Sequence, residues 1–197
     1  DEEIKSNKII LLPGSRRSEI SLILPEMLAA TAIIKRHDPN VNFVLPAVPH
    51  LLPLIQSLVA GSGVTILDQP DDLTPALQTS DAMIATSGTI TLQAALCGTV
   101  GVTCYRTSTF SGFIGRRLVD LNKVILPNAI LGRPLYPFYF QEAANGKTLA
   151  AATLDCLDDA NAKSSAKQAA IELKSLLTGG AKSFDDLVIG ALKNWLD

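Results

Sequence analysis

Two loops of this 197-residue chain carry the residue types that bind phosphate groups. The first loop follows the apolar run Lys8–Leu12 and contains Gly14, Ser15 and Arg16. Glycine lets a backbone approach a ligand closely, serine and the free N–H groups of a helix start hold phosphate oxygens, and arginine adds a charge-assisted contact. The loop therefore predicts phosphate binding, with a plain strand-to-helix turn and solvated arginines as the alternative. It lacks the GxGxxG spacing of dinucleotide sites, and we expect no cofactor there.

The second loop, ATSGTITL at residues 85–92, places Ser87, Gly88 and Thr89 at the start of an expected helix. Small hydroxyl residues beside glycine favour a concavity of backbone N–H groups that binds anions. If both loops leave the same edge of one sheet, a diphosphate fits between them. Gln93 follows one helical turn later and is a candidate partner for a sugar hydroxyl. A helix cap and an exposed glutamine are the structural alternatives.

Other catalytic patterns are absent from the sequence. Its two histidines, His37 and His50, lack the spacing of metal ligands, so we expect no metal site. The cysteines Cys97, Cys104 and Cys156 form no CxxC pair and are interpreted as small buried residues of a reducing compartment. No Ser-His-Asp or Cys-His arrangement and no carboxylate pair accompanies the two loops. The sequence therefore offers binding groups but no general acid or base.

The elements that must position these loops follow from short apolar runs that alternate with amphipathic stretches. Repeated strand-helix units predict an α/β fold, a Rossmann-like doubly wound parallel sheet of about six strands with C-terminal helices. Ligands of such sheets lie beyond the carboxyl ends of the strands, where both loops are expected. The predicted strands are residues 8–12, 42–48, 64–67, 82–85, 101–105 and 123–126. The predicted helices are residues 25–37, after a turn at 18–23, and residues 49–60, 71–79, 89–97, 108–121, 148–157, 162–177 and 184–196.

The chain divides, on this interpretation, into a nucleotide-binding domain at residues 1–160 and helices at residues 161–197. The helices are expected to pack on this domain, on an absent domain or on a partner subunit, after a linker at 161–165. A net charge of −2, from 17 basic and 19 acidic residues, argues against a bulk nucleic-acid binder. No apolar run reaches the ~18–20 residues of a membrane span. The apolar, arginine-containing segment 108–121 either docks on an anionic membrane surface or packs on its own sheet.

Four ordered segments of the chain resemble the C-terminal half of the lipid-A-disaccharide synthases. They are LLPGSRRSEI, ATSGTITLQAAL, the pair Tyr105-Arg106, and VILPNAILGR followed by Gln141, and they run from about residue 9 to residue 149. The resemblance implies one half of a two-domain GT-B glycosyltransferase. It also implies transfer of 2,3-diacylglucosamine from its UDP-linked form to 2,3-diacylglucosamine 1-phosphate, which releases UDP.

The same resemblance implies roles for single residues. Arg16 is expected to stabilise diphosphate charge, including the charge that develops on UDP as it leaves, and is the catalytic candidate. Gln93 stands where the family usually has glutamate, so it still accepts hydrogen bonds from a ribose but without charge assistance. The remaining donor-binding candidates are Gly14, Ser15, Ser87, Gly88, Thr89, Arg106, Asn128 and Gln141.

The expected partners also follow from the resemblance. They are a UDP-sugar lipid donor and an acceptor lipid held by a missing N-terminal half that supplies the general base. A second copy of the chain is expected on separate grounds, because the terminal helices at 162–197, without the absent domain, favour a homodimer. The implied location is the cytoplasmic face of the bacterial inner membrane, with peripheral membrane contact. The chain starts Asp-Glu-Glu without Met, and we expect a fragment that is inactive alone. The alternatives are another GT-B enzyme of UDP-N-acetylglucosamine (an epimerase or the lipid II-forming transferase) and a non-catalytic UDP-sugar-binding module.

Overall fold

The structure is a computed structural model that describes residues 7–68, 72–107 and 124–179 of the chain. Within these residues a single sheet of six strands has the order β3-β2-β1-β4-β5-β6, and every neighbouring pair is parallel. This order confirms the predicted Rossmann-like doubly wound sheet. The strands are β1 (Lys8–Leu12), β2 (Asn42–Ala47), β3 (Val64–Asp68), β4 (Ala82–Thr86), β5 (Gly101–Tyr105) and β6 (Phe138–Phe140).

Seven α-helices are described between and after the strands. They are α1 (Arg17–His37), α2 (Leu52–Val59), α3 (Thr74–Gln78), α4 (Thr89–Leu96), α5 (Leu126–Leu131), α6 (Gly146–Asp158) and α7 (Ala160–Leu177). Two short 3₁₀ turns, Pro49–Leu51 and Gln141–Ala143, precede α2 and α6.

Both faces of the sheet are covered by helices, because successive strand residues point to opposite sides. In β1, Ile9 and Leu11 join a buried cluster with α1, α2 and α6, whereas Ile10 and Leu12 join a second cluster with α3 and α4. Helix α7 packs on α4 and α5 and buries Leu173 completely. The two cores hold the strand ends in place and leave the connecting loops at the carboxyl edge to form a site.

The first helix differs from its prediction. A turn over residues 18–23 and a helix from Pro25 were expected, but α1 is continuous from Arg17 and contains Pro25 in its interior. Ile20 and Ile23, in the residues expected to form the turn, are completely buried. Their burial favours one helix, and the free energy of packing this apolar stripe exceeds the cost of an internal proline.

The sixth strand also differs from its prediction. Residues 123–126 were expected to form it, but α5 begins at Leu126, and β6 is Phe138–Phe140. Pro127 suits the first turn of a helix, and complete burial of Ile125 explains why this apolar run resembled a strand. The predicted linker 161–165 was likewise wrong, since it lies within α7. The predicted helices at 108–121 and 184–196 lie outside the described residues.

Candidate functional site

A cavity of about 580 Å³ opens beyond the carboxyl ends of β1, β2 and β4. Its walls include both loops that the sequence singled out, together with the residues that follow β2. The predicted site residues in its lining are Gly14, Ser15, Arg16, Ser87, Gly88 and Thr89. The fold therefore brings together two loops that lie more than 70 positions apart in the sequence, as the parallel sheet requires.

The first loop lies against the end of β4 at Gly14. Its φ of +98° belongs to the left-handed region, and a Cβ there would stand 2.7 Å from Oε2 of Glu19 and 3.2 Å from Oγ1 of Thr86. The Thr86 hydroxyl donates a hydrogen bond to the carbonyl of Leu12 at 3.1 Å, which ties the exits of β1 and β4 together. Only glycine fits this position, and the backbone there is open to close approach by a ligand.

The first loop ends at the start of α1. Arg16 is the N-cap residue, has extended backbone angles, and provides no side-chain acceptor for the first turn. The first intrahelical hydrogen bond runs from the amide of Ile20 to the carbonyl of Arg16 at 3.0 Å. The preceding N–H groups of a helix start attract anions because they lack intrahelical partners and lie at the positive end of the helix dipole.

Glu19 is a site residue that the sequence reasoning did not single out. Its carboxylate lines the cavity with the side chain 13% exposed, whereas the Arg16 side chain is 76% exposed. Oε1 of Glu19 accepts hydrogen bonds from Nη1 of Arg16 at 2.8 Å and from the hydroxyl of Tyr105 at 3.3 Å. Burial and the neighbouring Glu19 carboxylate raise the pKa of Tyr105. The sequence feature that could have indicated Glu19 is its position as an acidic residue in the first turn of α1, directly after the predicted phosphate-binding loop.

The second loop connects β4 to α4. The amide of Ser87 donates to the carbonyl of Cys104 at 3.1 Å and so continues the sheet beyond β4. Gly88 is the N-cap of α4, and its carbonyl accepts a hydrogen bond from the Thr91 hydroxyl at 2.7 Å. These bonds fix the loop so that Ser87, Gly88 and Thr89 face the cavity opposite the first loop.

Gln93 lies on α4 outside the cavity lining. Its Nε2 donates to Oδ1 of Asp72 at 3.4 Å and to Oγ1 of Thr74 at 3.3 Å. Hydrogen bonds from the Thr74 backbone and side chain lower the pKa of Asp72, so that carboxyl group is ionised near neutral pH. The glutamine therefore faces a carboxylate, and its expected contact with a ribose stays a prediction.

Arg106 and Gln141 are close to each other but do not line the cavity. Nη1 of Arg106 pairs with Oε1 of Glu26 at 2.7 Å, and its Nε donates to the carbonyl of Gln141 at 3.2 Å. The buried amide of Gln141 accepts from the Thr107 N–H and donates to the Thr107 carbonyl, both at 3.2 Å. The Gln141 side chain thus holds the backbone after β5, and the Arg106 side chain holds the backbone after β6. Their expected contact with the donor stays a prediction.

Asn128 is also remote from the cavity lining. It is buried in α5, with 6% of its surface exposed, and its amide bonds to the backbone of Leu135 and Tyr136. Every polar atom of this amide side chain has a partner in the segment before β6. The geometry assigns Asn128 a structural contact, whereas the expected contact with the nucleotide is untested.

Among the described residues, the charged side chains that line the cavity are Arg16 and Glu19. Among the residues that the structure describes, no group of three or more His, Cys, Asp or Glu side chains could hold a metal ion. In the same residues no helix is both long and apolar enough to cross a membrane. These described residues offer a cation, backbone N–H groups and hydroxyls, which suit a phosphate-containing ligand, together with the Glu19 carboxylate.

Comparisons with known proteins agree on one family. A family model described as lipid-A-disaccharide synthetase matches residues 2–187. A curated relative named lipid-A-disaccharide synthase from Burkholderia vietnamiensis is 44% identical over 158 residues, which are 78% of this chain and 40% of the relative. Another of that name, from Nitrosococcus oceani, is 31% identical over 185 residues, or 93% of this chain and 48% of the relative. The chain spans less than half the length of these relatives.

Solved structures of glycosyltransferases share the fold. The spinosyn rhamnosyltransferase SpnG complexed with thymidine diphosphate matches with a TM-score of 0.57 and 16% identity, over 85% of this chain and 41% of that chain. The glycotransferase of kitacinnamycin matches with a TM-score of 0.60 and 14% identity, over 97% of this chain and 44% of that chain. The likeness shows the fold, one half of a GT-B glycosyltransferase.

Proposed function

This chain belongs to the lipid-A-disaccharide synthetase family, and from that premise we propose that its cavity binds the UDP part of a UDP-sugar lipid donor. The observation that carries the proposal is the meeting of the two loops at Gly14 and Thr86 beside a cavity of about 580 Å³. A volume of several hundred Å³ suits a ligand of nucleotide size. The SpnG structure with thymidine diphosphate supports a nucleoside diphosphate as the ligand class.

The diphosphate lies, in this proposal, between the two loops. The start of α1 and the loop at Ser87, Gly88 and Thr89 supply N–H groups and hydroxyls, and Arg16 supplies the positive charge. The Arg16 side chain is 76% exposed and pairs with Glu19 through Nη1, so its other N–H groups are available to a phosphate. Arg16 would then stabilise the charge that develops on UDP as the glycosidic bond to the phosphate breaks.

The whole enzyme, in this proposal, transfers 2,3-diacylglucosamine from its UDP-linked form to 2,3-diacylglucosamine 1-phosphate. This chain holds the donor, and a further half of the enzyme holds the acceptor lipid and supplies the general base. Among the described residues, the charged side chains of the cavity are Arg16 and Glu19, and in this proposal both lie beside the diphosphate rather than beside an acceptor. We therefore expect the chain alone to bind nucleotide without catalysing transfer.

Assembly and membrane contact are further parts of the proposal. We propose peripheral contact with the cytoplasmic face of the inner membrane, because both substrates carry acyl chains, and a homodimer as the functional assembly. Light scattering tests the dimer, for which a strict monomer at all concentrations is the contrary result.

Co-sedimentation with anionic vesicles tests the proposed membrane contact, and protein that stays in the supernatant contradicts it.

The two alternatives make different demands on the cavity. A non-catalytic module would be favoured if side chains of the chain itself filled the ligand edge, but the cavity there is open. An epimerase or a lipid II-forming transferase would show selectivity for UDP-N-acetylglucosamine rather than for the acylated donor. The family match to residues 2–187 favours the lipid-A-disaccharide synthetase interpretation over both.

Calorimetry or ligand-observed NMR with UDP and uridine tests the donor site. We expect weak UDP binding, and Arg16→Ala should weaken UDP about tenfold while leaving uridine nearly unchanged, because only UDP carries the diphosphate. Arg17→Ala is the matched control, since Arg17 is an adjacent exposed arginine outside the cavity lining. If the folded protein does not bind UDP at millimolar concentration, the proposed donor site is contradicted. If Arg16→Ala weakens the affinities for UDP and uridine equally, the proposed role of Arg16 is contradicted.

A further inference from the structure

Glu19 places a negative charge where the two anion-binding loops meet. Its Oε2 lies 2.7 Å from the Cβ position of Gly14, and the Thr86 hydroxyl lies 3.2 Å from the same position. The carboxylate is therefore part of the cavity wall rather than of the outer surface, in agreement with its 13% exposure. Any diphosphate that bridges the two loops lies within a few ångströms of this carboxylate.

The same carboxylate already pairs with the cation of the site. Oε1 of Glu19 accepts from Arg16 at 2.8 Å and from the Tyr105 hydroxyl at 3.3 Å. Within the part of the chain that the structure describes, the charged lining of the cavity is one arginine and one glutamate of opposite charge. An anion that enters meets the attraction of Arg16 and the repulsion of Glu19 together, so the affinity depends on how much charge the anion carries.

The donor and the product of glycosyl transfer differ in this respect. A diphosphate esterified at both ends carries two negative charges, whereas free UDP has a terminal phosphate that gains a third charge above its second pKa of about 6. The extra charge appears on the phosphate from which the sugar has departed. A carboxylate beside the diphosphate therefore disfavours the product more than the donor.

We propose that Glu19 is a specificity-determining residue that makes the site prefer the diphosphate diester of a UDP-sugar over free UDP. This inference rests on the proposed function, because it requires the diphosphate to lie between the two loops. Its consequence for turnover is easier release of UDP once the sugar has been transferred. Arg16 remains the attractive partner for both ligands, and Glu19 sets the difference between them.

Calorimetry on the 197-residue chain at pH 8 tests the inference with three probes: uridine, UDP-N-acetylglucosamine and UDP. Glu19→Gln keeps the side-chain size and removes the charge, so it should raise the affinity for UDP about five- to tenfold more than the affinity for UDP-N-acetylglucosamine. Uridine affinity should not change. Glu19→Ala removes the same charge and replaces Glu19→Gln if that variant does not fold, as judged by circular dichroism.

Two control variants separate charge from structure. Glu19→Asp retains the charge and should retain the wild-type ratio of the two affinities. Glu172→Gln removes one charge from an exposed ion pair with Arg133, outside the cavity lining, and should leave all three affinities unchanged. An equal gain for both nucleotides, an unchanged ratio or a weaker UDP affinity in Glu19→Gln overturns the inference alone. Wild-type protein that binds neither nucleotide overturns the proposed function and the inference with it.

Discussion

Asn128 holds the peptide backbone of Tyr136 from both sides. Its Nδ2 donates to the Tyr136 carbonyl at 2.9 Å, and its Oδ1 accepts from the Tyr136 amide at 3.0 Å. The same oxygen accepts from the Leu135 amide at 3.0 Å. The Tyr136 hydroxyl then donates to the carbonyl of Thr99 at 2.7 Å. One buried amide therefore links α5 to the segment that leads into β6 and, through Tyr136, to the residues before β5.

Asn128→Ala should lower the free energy of unfolding by about 2–4 kcal/mol, because it removes the partner of the buried Tyr136 N–H and carbonyl groups and of the part-buried Leu135 N–H. Urea denaturation measures the loss, and Asn40→Ala at an exposed position is the control, with an expected change near zero. UDP affinity of the folded fraction should be unchanged. Weaker UDP binding at wild-type stability would contradict this structural role and favour direct contact of Asn128 with the nucleotide.

The buried thiol of Cys104 should make the protein less stable in alkaline solution. Burial raises the pKa of Cys104 far above its ordinary value, although nearby Arg106 partly offsets the effect. The unfolded chain loses the thiol proton near pH 8.5 and the folded chain keeps it. Above about pH 8.5 the unfolded state therefore binds fewer protons than the folded state. The contribution of this thiol to the free energy of unfolding is complete below about pH 8.5 and decreases above it, by up to about 1.4 kcal/mol per pH unit.

Urea denaturation at pH 7, 8, 9 and 10 measures this slope. Cys104→Ala should lower stability at every pH through the lost packing, yet it should flatten the decline between pH 8 and pH 10. Cys97→Ala is the control, because the Cys97 thiol is only half-buried and burial raises its pKa less than it raises that of Cys104. A slope that is identical in Cys104→Ala and in the wild type would show that the thiol does not cause it.

Local sequence patterns predicted most of the fold. The bounds of β1 and β5 agree with the prediction residue for residue, because each is a short apolar run bounded by glycine or proline. The cavity between the loops at Gly14 and Gly88 also followed from sequence, since parallel strands place their carboxyl ends at one edge. Patterns confined to about ten residues were sufficient for both results.

Contacts between distant residues were beyond such patterns. Glu19 meets Tyr105 across 86 positions, and Arg106 meets Glu26 across 80 positions. Nothing in the spacing of apolar residues indicates which polar side chains will pair over these separations. The hydrogen bonds between the Gln141 amide and the Thr107 backbone were likewise not indicated by the sequence, where the family resemblance alone made Gln141 a donor-binding candidate.

Glu26→Gln should destabilise the carboxyl edge of the sheet. One oxygen of Glu26 pairs with Arg106 at 2.7 Å, and the other accepts from the first amide of α6, that of Gly146, at 2.9 Å. The side chains of Glu26 and Arg106 are each about three-quarters buried. Replacing the Glu26 carboxylate by a neutral amide should therefore lower the free energy of unfolding by about 1–2 kcal/mol. Thermal and urea denaturation measure the change.

The control for this prediction is Glu172→Gln. Glu172 pairs with Arg133, but both side chains are more than 40% exposed, and such a pair contributes about 0–1 kcal/mol. A loss in Glu26→Gln no larger than that in Glu172→Gln would contradict the role of the Glu26 carboxylate. Hydrogen exchange at the Gly146 amide gives a second readout, since it should become faster when its acceptor is weakened.

Gln93 and Asp72 should act as a coupled pair in nucleotide binding. The Gln93 amide donates to Asp72 at 3.4 Å, and the Asp72 pKa is lowered by hydrogen bonds from Thr74. Gln93→Glu alone would set two carboxylates side by side, and their repulsion should cancel the gain from a charged acceptor for the ribose. In an Asp72→Asn background the same change should tighten UDP by about two- to fivefold, because the repulsion is gone.

Calorimetry with UDP on the four proteins of this double-mutant cycle measures the coupling. Uridine provides the control ligand, because it carries the ribose without the diphosphate and should show the same pattern. If Gln93→Glu tightens UDP equally with and without Asp72→Asn, the two side chains are not coupled. If Gln93→Glu changes the affinity for neither ligand in either background, position 93 does not contact the ribose. The hydrogen bonds of Gln93 to Asp72 and Thr74 then serve only to attach α4 to the start of α3.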